Sequence, residues 1–254
     1  MLTTILNAAG GAAGAPPAQF DMLHALNEGG IISWTTAIIL TVMLFFSFYI
    51  LFTKVFEQQK ILNQGKRVRA TFWSANSLRE GAAKLAKNSA YRQIVDDGLI
   101  AQEQYKELTD PIEAHDWLHG SLERSQASIN SALGGGLSFL ASVGSTAPFI
   151  GLFGTVVGIF RALIKIGAEG QASIGTVAGP VGEALIMTAL GLVVAVPAVL
   201  SYNWLIRRNK TIAEQLDTFS NDVLGFLASD GRVRPASRKP SGTAAKPPQA
   251  STAA

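Results

Sequence analysis

Residues 170–206 read GQASIGTVAGPVGEALIMTALGLVVAVPAVLSYNWLI, and Glu183 is the one formally charged residue among them. About 20 helical residues are enough to cross the hydrocarbon core of a membrane, so an apolar run of this length is typical of a spanning helix. At 1.5 Å per residue the run could reach about 50 Å, whereas the hydrocarbon layer is about 30 Å thick. The stretch therefore predicts a helix that projects beyond the bilayer on the cytoplasmic side.

Two further stretches have the same character. Residues 31–53 read IISWTTAIILTVMLFFSFYILFT, and residues 125–160 contain no formal charge. The chain is 48% hydrophobic and 15% charged, whereas a soluble domain carries about a quarter charged residues. It has no cysteine, which excludes a disulfide scaffold, a thiol enzyme and a cysteine-based metal site. We predict an all-α membrane protein with three transmembrane helices, two of them long and extending into the cytoplasm.

Basic residues indicate the orientation, because cytoplasmic loops of membrane proteins are enriched in Lys and Arg. Residues 1–30 have none, residues 54–132 have eleven, and the chain after the third span has eight. The short link between the second and third spans has two, Arg161 and Lys165. This distribution predicts that the N-terminus lies outside, the 54–132 region inside, the link outside and the C-terminus inside.

The spans and loops divide the chain into eight predicted segments. They are an outer N-terminal segment (1–30), the first transmembrane helix (31–53), a cytoplasmic helical region (54–132), the second transmembrane helix (133–163), an outer link (164–174), the third transmembrane helix (175–206), a cytoplasmic helix (207–231) and a disordered, basic, Pro-rich tail (232–254).

The two ends of the chain have distinct compositions. Residues 1–20 lack a positively charged start and have only a short apolar stretch, so we do not expect a cleaved signal peptide. The tail has five basic residues, no acidic ones and four prolines, which is typical of disorder. Its charge could hold it near anionic membrane lipids, or it could be merely solvated. No aromatic residue interleaves the charge, so we expect no nucleic-acid partner.

The 54–132 region carries helix-start signals. Ser77 and Glu80 have capping-box spacing. Asp110 followed by proline predicts the start of one long helix that becomes the second span, and the glycines at 134–136 are a weak point that allows a bend. His115 and His119 resemble a zinc-binding HExxH motif with Asp in place of Glu. No third ligand is evident, so we expect two surface histidines and no metal.

Glu183 is the most informative single residue. A charged side chain inside a membrane helix costs roughly 2.5–3.5 kcal/mol, so this one should face a protein interior or a wet cavity. It is interpreted either as a proton- or ion-path residue or as a structural carboxyl between helices. Thr176 lies seven residues earlier on nearly the same helix face, and Thr188 lies about 140° around the helix.

The second span offers hydroxyls and small residues. Ser145 and Thr155 are candidates for a polar face, and Gly151, Gly154 and Gly158 have spacing that lets helices approach closely in lipid. One carboxyl with a few hydroxyls is not a complete proton relay, and a monomer with three spans cannot enclose a pore. The sequence therefore predicts a ring-like homo-oligomer and a second subunit that supplies another titratable group.

Two motifs carry a resemblance to a known family. Residues 147–158 (APFIGLFGTVVG), and residues 179–192 (GPVGEALIMTALGL) followed by 195–203 (AVPAVLSYN), resemble the signature of the MotA/TolQ/ExbB proton-channel family. The match spans about residues 110–210, and the three-span layout extends it over most of the chain. Within the family, the motif at residues 179–184 (GPVGEA) is most similar to the ExbB type, and the TolQ type is the alternative. MotA-type stators have four spans and fit poorly.

The resemblance implies a specific function. Proteins of this kind lie in the bacterial inner membrane, so the outer segments would be periplasmic. They form a pentamer around a dimer of a single-span ExbD-like subunit and work with a TonB-like protein to power uptake across the outer membrane, without a cofactor. The family's pore-lining positions fall on Thr155, Glu183 and Thr188. A scaffold without conduction and a membrane enzyme that uses the two histidines are the competing hypotheses.

Overall fold

The computed structural model describes residues 30–75, 77–109, 113–169 and 174–235, without the side chains of residues 165, 169, 174–180 and 183. The outer segment before Gly30, the predicted helix start at Asp110 and most of the basic tail lie outside these residues. The described elements are α1 (Gly30–Thr71), a 3-10 turn (Phe72–Ser74), α2 (Leu78–Ala83), α3 (Ala90–Tyr105), α4 (Ala114–Gly134), α5 (Leu137–Glu169) and α6 (Ile174–Ala228).

The described elements are all helical, and three stretches are long and apolar enough to cross a membrane. These are Gly30–Ser74, Ala114–Ala168 and Ala184–Ala228. The prediction of an all-α membrane protein with three spanning helices is therefore confirmed. The helix α1 continues well past the predicted end of the first span at residue 53, because residues 54–71 are rich in Lys, Gln and Arg, which favour helix.

Residues Met1–Leu51 and Gly136–Asn203 form one compact unit, which we call the apolar unit. In it, one face of α1 is buried, at Ser33, Thr36, Leu40 and Ser47. This spacing of three, four and seven residues keeps the four side chains on one side of a helix. Large apolar side chains such as Phe45 are exposed instead, as expected where the surroundings are lipid or another subunit rather than water.

Residues Phe52–Gly135 and Trp204–Ala254 form the second unit, which we call the polar unit. Its buried apolar side chains form a core. Ser77 caps α2 by accepting a hydrogen bond from the backbone N–H of Glu80 at 3.2 Å, as the capping-box spacing predicts. The buried core includes Val68, Phe72, Ile94, Leu122, Ile212, Leu216 and Phe219.

Helix α4 ends at a glycine run. Gly135 leaves the helical conformation, with a ψ of 131°, and Gly136 has a φ of +80°, which L side chains rarely adopt. The predicted long helix is therefore broken into α4 and α5 at this point. The last carbonyls of α4 are satisfied from neighbouring helices of the polar unit. Lys54 Nζ donates to Ala132 O at 2.9 Å, and Asn209 Nδ2 donates to Leu133 O at 3.1 Å.

Candidate functional site

Helices α5 and α6 approach each other closely in the apolar unit. A Cβ atom added to Gly151 would lie 2.5 Å from the carbonyl oxygen of Met187 and 3.0 Å from the Cα of Gly191. A Cβ added to Gly191 would lie 2.7 Å from the carbonyl oxygen of Ala147. The two backbones are therefore in direct contact here, and neither glycine has room for a side chain. We call this contact the glycine seam.

The glycine seam continues through two more glycines of α5. A Cβ on Gly158 would lie 3.0 Å from the Cβ of Ala184. A Cβ on Gly154 would lie 3.1 Å from Met187 Cβ and 3.1 Å from Thr36 Cγ2. The second contact comes from α1, so all three long helices of the apolar unit meet around Gly154.

A buried hydroxyl lies at the centre of the seam. Thr155 is 6% exposed, and its Oγ1 lies 2.8 Å from the carbonyl oxygen of Ala184 on α6. The same atom lies 2.6 Å from Thr188 Oγ1 and 3.2 Å from the carbonyl oxygen of Gly151 in its own helix. Thr155 and Thr188, two of the predicted pore-lining residues, are therefore brought together between α5 and α6.

The donors in this arrangement follow from the chemistry of its atoms. A hydroxyl has one proton to donate, whereas a carbonyl oxygen can only accept. Two of the three neighbours of Thr155 Oγ1 are carbonyls, so its proton is directed at one of them, and the nearer is Ala184 O. Thr188 then donates to Thr155. The hydrogen bonds run from Thr188 through Thr155 to the α6 backbone.

Glu183 occupies the position in α6 immediately before Ala184. Ala184 and Thr188 are one helical turn apart and both contact Thr155 of α5. Successive helical residues are about 100° apart, so the backbone position of Glu183 borders the side of α6 that contacts α5. The side chains of Glu183 and Thr176 lie outside the described part of the structure.

The remaining hydroxyl candidate lies elsewhere. Ser145 is exposed and donates to the carbonyl oxygen of Ser142 in its own helix at 3.0 Å. It precedes Thr155 by ten residues, which is about 15 Å along α5. The structure does not bring Ser145 into the hydroxyl pair.

Sequence reasoning missed the contribution of α1. Thr36 is 3% exposed, contacts the seam at Gly154, and donates its hydroxyl to the carbonyl oxygen of Ile32 at 2.9 Å. Ser47 likewise donates to the carbonyl oxygen of Met43 at 2.7 Å. The signal for this face was available, because Ser33, Thr36 and Ser47 have helical spacing within an otherwise apolar run.

The two histidines of the HExxH-like motif do not form a metal site in the described part of the structure. His115 and His119 lie on an exposed part of α4 with stacked rings, and each lies near an acidic neighbour, Asp116 at 3.4 Å and Glu123 at 3.8 Å. Among the described residues, no group of three or more His, Asp or Glu side chains is arranged to hold a metal ion.

Comparison with known proteins relates this arrangement to a family. The sequence model of the MotA/TolQ/ExbB proton channel family matches residues 86–218, which include the glycine seam and the hydroxyl pair. The chain is 36% identical over 213 residues to the biopolymer transport protein ExbB of Xanthomonas campestris pv. campestris, covering 80% of this chain and 84% of the relative. It is 42% identical over 153 residues to the ExbB of Neisseria gonorrhoeae, covering 58% and 70%. It is 29% identical over 223 residues to the Tol-Pal system protein TolQ of Haemophilus influenzae, covering 83% and 95%.

Proposed function

Because this chain belongs to the MotA/TolQ/ExbB proton channel family, we propose that it is the ring-forming subunit of an ExbB-type proton-driven motor in the bacterial inner membrane. The chain is a multi-pass membrane protein of a transport family, not of an enzyme class. The observation that carries the ExbB assignment is the comparison over similar shares of the chain. Identity is 36% with an ExbB over 80% of the chain, and 29% with a TolQ over 83%.

The partners of the proposed motor are those that the family resemblance implies, and they supply what the chain lacks. It has three candidate spans and one acidic residue, Glu183, within the apolar stretch of the third. A pore needs several copies of such a subunit, and we propose a pentamer. A relay needs a second titratable group, which we assign to a dimer of an ExbD-like single-span subunit in the central pore. A TonB-like protein would deliver the resulting work to receptors that import iron siderophores across the outer membrane.

The proposed mechanism is the movement of charge past an apolar wall. Protons enter from the periplasm and neutralise the partner's membrane carboxyl, which lowers the cost of moving it through a region of low dielectric. Glu183 provides a second carboxyl, and the hydroxyl pair Thr155 and Thr188 provides polar contacts at a fixed place on each subunit. Repeated protonation and release then drive relative motion of the ring and the central dimer.

The decisive experiment removes the carboxyl of Glu183. Glu183→Ala and Glu183→Gln are purified with the ExbD-like partner and reconstituted in liposomes with a pH-sensitive dye inside. We expect the complex to form, as seen by gel filtration, and proton flux to fall about tenfold or more, because a transfer group contributes at least this much. Ser145→Ala is the matched control, since Ser145 is exposed and lies away from the hydroxyl pair.

Two outcomes would overturn the proposed role of Glu183 in proton transfer. If both Glu183 variants assemble and conduct like the natural chain, the subunit is a scaffold whose carboxyl is structural. If assembly itself is lost in both variants, Glu183 holds helices together rather than carrying protons.

The TolQ-type subunit of the Tol-Pal envelope-maintenance system is the alternative function, supported by the alignment that covers 95% of the Haemophilus influenzae TolQ. Complementation separates the two assignments. The chain, expressed with its ExbD-like partner, should restore siderophore-dependent growth to cells lacking their ExbB system. Restored detergent resistance in cells lacking TolQ, without restored siderophore use, would favour the alternative.

A further inference from the structure

A second feature of the apolar unit is an open groove between α1 and α5. Its volume is about 500 Å³, which lies within the range of about 300–1,000 Å³ that is usual for ligand pockets. Four residues of α1, from Ile32 to Ile39, and four of α5, from Thr146 to Phe153, line this space. We call it the α1–α5 groove.

The α1–α5 groove is apolar even though three of its lining residues are threonines. Thr35, Thr36 and Thr146 each donate their hydroxyl to the carbonyl oxygen four residues earlier in their own helix, at 2.7, 2.9 and 2.7 Å. Their protons are therefore used within the helices and are not offered to a ligand. The other lining residues are isoleucine and phenylalanine, so the groove suits a hydrocarbon occupant.

The depth of the groove in the membrane follows from its residues. The apolar run of the first span begins at Ile31, one residue before the groove. Ile32 and Ile39 are seven residues apart, which is about 10 Å along α1. One leaflet provides half of a hydrocarbon core that is about 30 Å thick. The groove therefore begins at one membrane surface and covers most of the depth of that leaflet, where the acyl chains of lipids lie.

A cation lies at the surface end of the groove. A Cβ atom added to Gly30, two residues before Ile32, would lie 2.9 Å from a terminal guanidinium nitrogen of Arg161 on α5. Arg161 is partly exposed. A guanidinium has five N–H donors in a planar fork, so it can serve a neighbouring group and still bind a phosphate. The basic end and the apolar body of the groove thus match the phosphate and the acyl chain of a phospholipid.

The side chains of the groove favour a lipid over a helix of another subunit. Helices that pack closely in a membrane use small residues at the contact, as α5 and α6 do at the glycine seam. In the groove, by contrast, Phe149 and Phe153 are 69% and 58% exposed, and Ile39 is also exposed. These bulky side chains would hold the backbone of another helix at a distance, whereas a flexible acyl chain can fill the space between them.

We propose that the α1–α5 groove binds one phospholipid with an anionic headgroup, whose phosphate contacts Arg161 and whose acyl chain lies along the α1 residues from Ile32 to Ile39. Thr36 lines the groove and also contacts Gly154, so the acyl chain lies one side chain away from the glycine seam. The proposed lipid site depends on the membrane location of α1 and α5 and not on the proposed proton pathway.

Native mass spectrometry tests the headgroup contact in the full-length protein. The protein is equilibrated in mild detergent with equal amounts of phosphatidylglycerol and phosphatidylcholine, and the lipids retained per subunit are counted. We expect phosphatidylglycerol to be retained about fivefold more often, which is the effect of one basic group on an anionic lipid. Arg161→Lys should keep this preference, and Arg161→Gln should abolish it. An unchanged preference in Arg161→Gln would overturn the proposal.

The groove itself is tested by filling it. Thr35 is exposed and lines the groove, whereas Val42 is exposed on the same helix and is not part of the lining. We expect Thr35→Trp to lose the bound phosphatidylglycerol and the matched control Val42→Trp to keep it. A free phosphate on Arg161 would not need the groove, so retention of phosphatidylglycerol by Thr35→Trp at the level of the natural chain would contradict the proposed site.

Photo-crosslinking in membranes identifies the occupant without purification. The photoreactive amino acid benzoylphenylalanine, introduced in place of Thr35, should form an adduct with the mass of a phospholipid when the membranes are illuminated. The same amino acid in place of Val42 should give this adduct in lower yield, because that position is not part of the groove lining. If the adduct at position 35 is instead a second copy of the chain or another subunit, the groove is a protein interface and the lipid site is wrong.

Discussion

At the scale of single residues, the Thr155 hydroxyl contributes to the stability of the contact between α5 and α6. Its hydroxyl is buried between α5 and α6 and bonds across the seam to Ala184 and Thr188. Such bonds contribute about 0.6 kcal/mol on average between membrane helices, and up to about 1.7 kcal/mol. The position of Thr155 in its helix follows from the sequence, but its partners do not, because they depend on the register between α5 and α6.

We expect Thr155→Val to lower the stability of the solubilised protein by about 1 kcal/mol, because valine keeps the shape but leaves Thr188 without its acceptor. Thr155→Ser, which keeps the hydroxyl, should lose clearly less. The midpoint of thermal unfolding in detergent, followed by gel filtration, measures both. Equal losses for the valine and serine variants would mean that the methyl group, not the hydroxyl, stabilises the seam.

At the scale of elements, the glycine seam determines how closely α5 and α6 pack. Gly151→Ala would place a methyl group 2.5 Å from the carbonyl oxygen of Met187, so the helices must separate. We expect a loss of about 1–3 kcal/mol, measured by the same unfolding assay. Gly167→Ala is the matched control on the same helix, because nothing lies within 4 Å of its added Cβ. Equal unfolding midpoints for the two variants would contradict the close packing of α5 against α6 at Gly151.

The break between α4 and α5 gives a second prediction at this scale. Gly136 has a φ of +80°, so Gly136→Ala should destabilise the protein by about 1–2 kcal/mol through backbone strain. Gly134 is the last residue of α4 and has open space around its added Cβ, so Gly134→Ala should leave the unfolding midpoint unchanged or raise it. A harmless Gly136→Ala would show that the helix runs on through this point.

The elements differ in how far the sequence predicts them. The uncharged runs predict the three spans, and the spacing of Ser77 and Glu80 predicts the start of α2, because both signals are local. The sequence predicts a helical region after residue 53 but does not predict that α1 runs unbroken to Thr71, since charged residues there end the apolar run without ending the helix. The break at Gly136 was predicted only as a possible bend, because a glycine run permits a positive φ but does not require one.

At the scale of the whole molecule, the family resemblance carried by residues 147–158 and 179–192 is confirmed by the match over residues 86–218. The roles of Thr155, Glu183 and Thr188 as pore-lining residues stay predictions, as does the membrane orientation. These properties depend on copies of the chain and on partners, whose arrangement no pattern within one chain specifies.

The orientation is testable by labelling, since single cysteines can be introduced into a chain that has none. We expect Gly167→Cys, near the predicted outer link, to react with a membrane-impermeant maleimide in intact spheroplasts. Asn63→Cys, in the predicted cytoplasmic part of α1, should react only after lysis. Both positions are exposed, so the result depends on which side of the membrane the reagent can reach. The reverse pattern would place the N-terminus inside and overturn the orientation derived from basic residues.

The direction of the hydrogen bonds from Thr188 through Thr155 to Ala184 O limits how a proton could travel through a subunit. A hydroxyl passes on a proton only when its neighbour can accept one and then release it. A peptide carbonyl accepts a hydrogen bond but is not protonated near neutral pH, so hopping along this row of atoms stops at the α6 backbone. The threonines can therefore steer or solvate a moving charge, but they cannot be its carrier. In the proposed motor, the number of protons consumed per step should therefore equal the number of carboxyl groups that change state.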